Sequence, residues 1–326
     1  MRIIFVPQFP SKMRYQEWWY TEFPKQFKAR GLEVLTLGEK YLDVIQHRRS
    51  TLDMFSPINQ AIEFETEQIR EYMMLDIRDD DILFLADISF PGFFANVLYH
   101  KECPKQYAFC HATSLNRLDY FQSVRYSKFP VESSHSFLFN TVFVGSKYHQ
   151  HKLQAVDDRY WCNVMVTYLP FPPMEFKLSG VDKKIDVMSA SRPSPQKVDS
   201  ELEAFIEKEM GIKIQRPVSD TWGHYVWNLQ EAKVLLITAL EDTFGYQIVD
   251  AVMNNCIPIA RNSLAYPELL EREYLYESKT ELLGKLELLT NLDTPPQVPE
   301  LLCKEQMNKF YDVIVKEMTE EVDYPF

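Results

Sequence analysis

Residues 234–277 read VLLITALEDTFGYQIVDAVMNNCIPIARNSLAYPELLEREYLYE, and this stretch decides the fold. Val234 to Thr238 is an apolar run of the length and type of a buried strand. A short acidic loop follows, Glu241-Asp242-Thr243-Phe244-Gly245, then a helix from Tyr246 to about Asn254 and a second apolar strand from Cys256 to Ala260. Two parallel strands bracketing a helix put the loop at the carboxyl end of a sheet, where open α/β folds bind ligands. Amides without partners at a helix start attract phosphate or sugar oxygens. Asp242 lies in the loop and Asp250 a little over a turn along the helix. One carboxylate suits sugar hydroxyls and the other a ribose.

Working outward, the same strand–helix rhythm recurs. Arg2 to Pro7 reads as a buried strand. Ser11 to Arg30 reads as an amphipathic helix bent near Pro24, Gly31 ends it, and Leu32 to Leu37 is a second strand, which together make a βαβ unit. A helix over Glu63–Leu75, a solvated turn at Asp79-Asp80-Asp81 and strands over Ile82–Ala86 and Gln106–Cys110 follow. Next come a strand over Thr141–Gly145, a helix over Lys147–Val156 and a strand over Met165–Leu169. Prolines at 170–173 mark a boundary, and a new series starts at Ile185 with a helix over Ser200–Met210 and a small strand over Ile212–Gln215. The reading is α/β, with a first domain over 1–172, a second over 173–300, and a final helix within 301–326.

Composition excludes several classes. Only 9 glycines occur in 326 residues, and neither G-x-G-x-x-G nor a Walker A pattern is present, which argues against a dinucleotide enzyme and a P-loop NTPase. A net charge of −12 argues against a protein whose main task is coating nucleic acid. Five cysteines without a C-x-x-C pair point to a reducing, cytoplasmic setting. No apolar run reaches the ~18 residues of a membrane span, and the opening MRIIFVPQF reads as a strand, too short for a secretory signal.

The segment Asp242-Thr243-Phe244-Gly245, with Asp250 eight residues after Asp242, resembles the donor signature of retaining GT-B glycosyltransferases of the family 4-like group. In that family both acidic positions are glutamates; aspartate stands at both here. Tyr266-Pro267-Glu268 and Glu273-Tyr274-Leu275-Tyr276 are similar to the tail of the tRNA-queuosine mannosyltransferase branch. Gly31-Leu32-Glu33-Val34 resembles the close of the family's first unit, whereas its glycine pair after the first strand is replaced by Phe9-Pro10-Ser11-Lys12. The resemblance implies two Rossmann-like domains facing across a cleft, with the final helix returning to the first domain. It implies Arg192 and Lys197 on a donor diphosphate, Asp242 and the Phe244–Gly245 amides on the sugar, Asp250 on the ribose and His111 on the sugar from across the cleft, with Thr243 and Tyr246 also binding the donor and His111 and Asp242 as the catalytic residues.

The implied reaction moves a hexosyl group from a nucleotide-sugar to an acceptor hydroxyl with retention. It needs no metal or other cofactor, because cations and a helix N-terminus stabilise the leaving diphosphate. Tyr15, Trp18 and Trp19 cluster where the acceptor side should lie, although core packing explains aromatics at helical spacing more often. A saccharide or small-molecule acceptor is favoured. A modified nucleoside in tRNA or DNA is the alternative, supported by the local basic strip Lys12, Arg14, Lys25, Lys28 and Arg30. A sugar-nucleotide epimerase or hydrolase and a non-catalytic nucleotide-binding module are the remaining alternatives.

Overall fold

The structure is a computed structural model and describes residues 1–42, 56–88, 93, 105–118, 125–156, 158–173, 181–191, 196–292 and 297–320. The first half builds a parallel sheet of six strands: β1 (Arg2–Val6), β2 (Glu33–Thr36), β3 (Asp81–Leu85), β4 (Lys105–Cys110), β5 (Thr141–Val144) and β6 (Val164–Val166). Their order is β2-β1-β3-β4-β5-β6. Every residue of β1 and β3 is buried, as expected of strands covered by helices on both faces. Arg2 stands opposite Asp81 in the register, and its guanidinium grips that carboxylate through Nε at 3.0 Å and a second nitrogen at 2.5 Å. The acidic run is therefore only partly a solvated turn. Asp81 is a buried strand residue, and Asp80 pairs with the N-terminal amine.

Helix α1 (Tyr15–Ala29) carries Trp19, Phe23 and Phe27 at intervals of four, which gives one buried stripe, and continues through Pro24. Helix α2 (Ser56–Met73) starts earlier than its apolar pattern indicates. Helix α3 (Arg125–Ser136) lies where the sequence gives no helical signal, because RYSKFPVESSHS is polar and holds Pro130. Helix α4 (Lys147–Gln154) follows β5.

A second parallel sheet follows, ordered β10-β9-β8-β7, from β7 (Ile185–Met188), β8 (Ala232–Ile237), β9 (Ile257–Arg261) and β10 (Leu275–Tyr276). Around it lie α5 (Ser200–Met210), α6 (Trp222–Glu231), α7 (Tyr246–Met253) and α8 (Lys279–Thr290). The expected strand over Ile212–Gln215 shrinks to a single bridge between Met188 and Gln215. That bridge matters for the site. The chain leaves β7 toward Gln215 on one side and returns as β8 on the other, so the β7–β8 crevice is a topological switch point.

The final segment is two helices, α9 (Lys304–Asn308) and α10 (Phe310–Thr319), broken at Lys309. Phe310 and Tyr311 pack edge-on against Phe23, at 5.8 Å and 5.3 Å, and Arg30 holds Asp312 at 2.7 Å. One apolar cluster is continuous between the sheets, running from Phe5, Trp19 and Phe109 through Phe310 to Leu235, Phe244 and Ile248. Among the described residues no helix is long and apolar enough to cross a membrane.

Candidate functional site

A cleft of about 1560 Å³ opens beside the β7–β8 crevice. The first domain lines it with Lys12, Arg14, Tyr15 and Trp18, from the loop after β1 and the start of α1. The second lines it with Ser191, Lys197, Trp222, Tyr225, Tyr246, Gln247 and Asp250, among others.

Helix α7 points its start at this cleft. Gly245 takes φ +104°, and no side chain caps the helix. By helix geometry the amides of Tyr246 and Gln247 have no acceptor within the helix, which leaves a partial positive charge facing the opening. The Gln247 amide holds the Ser191 hydroxyl at 3.1 Å, fixing the strap after β7. Lys197 reaches Asp242 at 3.0 Å. One turn into α7, Asp250 accepts the Tyr225 hydroxyl at 3.0 Å. Burial raises the Asp250 carboxyl to about 7, against the opposing pull of that hydrogen bond. Asp250 therefore exchanges its proton in the neutral range.

Of the residues expected at a site, Lys197, Tyr246, Asp250, Tyr15 and Trp18 line the cleft together. Asp242, Thr243, Phe244, Gly245 and His111 do not. The acidic loop spends its polar groups on holding the domains together and on its own turn. The Thr243 hydroxyl donates to the His111 carbonyl at 2.6 Å, the Ser146 hydroxyl donates to the Thr243 carbonyl at 2.5 Å, and the Phe244 amide turns back to Asp242 at 3.3 Å. Gly245 is required there: a Cβ would lie 2.9 Å from the Tyr266 ring.

Trp19 needs correction as an acceptor-side residue. It is 2% exposed, and its indole N–H donates to the Tyr246 hydroxyl at 3.2 Å. His111 sits against Tyr15, Trp19 and Phe109, at ring distances of 4.3, 4.5 and 4.8 Å. Burial, with His149 nearby, lowers its imidazole to about 3 in spite of a bond to the Ala86 backbone, so the ring is neutral at neutral pH. Arg192 lies outside the described residues. The basic strip divides: Lys25 pairs with Glu22 and Arg30 with Asp312, whereas Lys12 and Arg14 face the cleft. Trp222 and Tyr225 line the cleft, and the exposed His224 pairs with Asp220.

Three carboxylates with cross-domain roles carry no local sequence signal. Glu241 accepts the amides of Arg117 and Leu118, each at 2.9 Å, and Lys152 at 3.2 Å. Glu268 accepts the first amides of α4, Lys147 at 2.9 Å and Tyr148 at 2.7 Å. Glu17 accepts the Trp222 indole N–H at 2.9 Å, 205 residues away. Within the second domain, the buried Glu203 is held by Ser189 at 3.0 Å, Thr238 at 2.9 Å and the Arg216 guanidinium.

No protein-family profile matches the chain. It is 31% identical over 111 residues to the tRNA-queuosine alpha-mannosyltransferase of Drosophila melanogaster, a stretch that covers 32% of this chain and 27% of that protein. Among solved structures it superposes on Staphylococcus aureus TarM, in a complex containing UDP, with a TM-score of 0.51 and 14% identity, over 78% of this chain and 55% of TarM. It also superposes on Anabaena HepE in complex with UDP and glucose, with a TM-score of 0.56 and 12% identity, over 98% and 96% of the two chains. The chain thus spans about a quarter of the curated relative and about half of TarM. The fold is GT-B: two Rossmann-like domains facing across a cleft.

Proposed function

We propose that the chain is a glycosyltransferase. It moves a hexosyl group from a nucleotide-sugar to an acceptor hydroxyl, with retention of configuration and without a metal. One observation carries this reading: Lys197, the open start of α7 and Asp250 meet in one cleft at the switch point of the second sheet. Phosphate suits the helix start and Lys197, where charge developing on a leaving diphosphate would be stabilised. In this reading Asp250 takes the ribose, with Tyr225 holding its carboxylate. Asp242 orients Lys197 and reaches the sugar only when that pair opens, a role assigned together with Arg192 on the diphosphate and His111 near the sugar. Tyr15 and Trp18 offer aromatic faces on the acceptor side.

A saccharide or small molecule is the first choice of acceptor. A modified nucleoside in nucleic acid is the second, favoured by the likeness to the tRNA-modifying Drosophila protein. The test begins with thermal shifts against UDP, GDP, ADP and TDP, since a ligand that binds the native state raises the melting temperature. One nucleotide should stabilise the protein. Its sugar should then be consumed in the presence of chelator, with the anomeric outcome read by NMR. Silence across all four nucleotides would remove the reading.

A further inference from the structure

The cations of the cleft are unequally available. Lys197 is paired with Asp242 at 3.0 Å, and Arg216 with Glu203 and Glu207. The same wall carries the carboxylates Asp199 and Asp250. A doubly charged phosphate ligand entering here meets cations whose charge is already matched, so it must displace an ion pair or find others. Lys12 and Arg14 are the others. Both line the cleft from the opposite domain, and among the described residues neither forms an ion pair.

Their loop is also built to stay in place. Met13 between them takes φ +59°, an uncommon conformation for a residue with a side chain. The Met13 amide donates to Glu17 at 2.8 Å, and the same Glu17 carboxylate oxygen accepts the Trp222 indole at 2.9 Å. The loop is thus pinned to the far wall of the cleft one helical turn from Arg14. Lys12 faces that wall as well. The Asp220 carboxyl is held below its usual range chiefly by His224, with Lys12 adding to the effect. Where the resembling family has a glycine pair, this chain has Phe9-Pro10-Ser11-Lys12 and then Met13-Arg14.

We infer that Lys12 and Arg14 form a phosphoryl-binding site on the first domain, using side-chain charge across the cleft from the start of α7. The inference rests on the proposed function. Its ligand is a phosphoryl group from one of two sources, the donor's diphosphate or a phosphate on the acceptor. A guanidinium forks onto phosphate oxygens in a way an ammonium does not, so Arg14 is the principal contact.

The test uses the full chain with Arg14→Ala, Lys12→Ala, Arg14→Lys and, as a control on the second domain, Lys197→Ala. Both loop residues are exposed, so unchanged melting temperatures without ligand would establish that the variants fold. Calorimetry would measure UDP, GDP, ADP and TDP, then inorganic phosphate added to protein saturated with the tightest of them. If the loop holds the donor, Arg14→Ala weakens the nucleotide about tenfold and Arg14→Lys restores part of it. If it holds an acceptor phosphate, nucleotide affinity is unchanged, but phosphate binding to the saturated protein is lost in Arg14→Ala. Either result supports the site. Nucleotide and phosphate affinities that ignore Lys12 and Arg14 while Lys197→Ala weakens the nucleotide would overturn the site and leave the proposed function standing. Phosphate binding that depends on Arg14, in a protein that binds none of the nucleotides, would keep the site and sink the function. No binding of any probe would overturn both.

Discussion

Asp250 has the most consequential titration in the cleft. Its carboxyl sits near 7 in the folded protein, and in an unfolded chain it would sit near 3.8. The native state therefore binds this proton more tightly than the unfolded state does. The contribution to stability is complete below about pH 4 and is lost as the pH climbs toward 7. Asp250→Asn should flatten the slope of stability against pH across that window, as measured by urea midpoints at each pH. Tyr225→Phe removes a donor that favours the charged form, so the falling portion should extend to higher pH. Gly245 makes a second residue-scale prediction. Gly245→Ala meets both a left-handed backbone and the buried Tyr266 ring, so it should cost about 2 kcal/mol or more in denaturant titration. Asp250 is expected at the cleft from its place on the helix that follows the acidic loop, and it lines the cleft. No local spacing points to its partner Tyr225, since nothing in the sequence says that two helices will bring these groups together.

Among the elements, β8, α7 and β9 lie within a residue or two of their expected limits, because apolar runs bounded by a glycine and a polar loop leave little choice. Helix α3 escaped notice because it buries Glu132, Ser133, His135 and Ser136, which no apolar pattern reveals. Its Glu132 is held at its place by Lys128 and by the Ser114 amide and hydroxyl. The acidic loop reads in the sequence as a ligand surface, but its Glu241 and Thr243 serve the domain contact, and that role depends on partners more than a hundred residues away. Glu268 extends the same device to α4, adding a carboxylate from the other domain to the Ser146 cap. Glu268→Ala should therefore cost about 1 kcal/mol and speed amide exchange at Lys147 and Tyr148. Unchanged exchange there would show that Ser146 alone suffices.

For the molecule as a whole, the two sheets share an apolar cluster, and α10 adds Phe310 between them. Domains joined only by a polar interface would unfold separately. Here calorimetry should give a single transition, coincident when followed by tyrosine absorbance and by far-ultraviolet dichroism. Two resolved transitions would mean that the shared cluster contributes less than its continuity implies. This integration was only partly legible in the sequence. The repeated βα rhythm announces two domains, but the pairing of Trp19 with Tyr246 across the boundary depends on how the finished domains meet.

The bond from Trp222 to Glu17 also equips the protein with an internal optical reporter. Indole emission responds to the loss of a charged acceptor and to the arrival of water, and this indole spans the opening of the cleft. Trp161 is fully buried and Trp227 faces outward away from the cleft lining, so neither should change much when the domains separate, whereas Trp18 and Trp19 lie at the boundary and also contribute, which the comparison with Trp222→Phe subtracts. A red shift attributable to Trp222, absent in Trp222→Phe, would time opening and closing in a stopped-flow instrument without any attached dye.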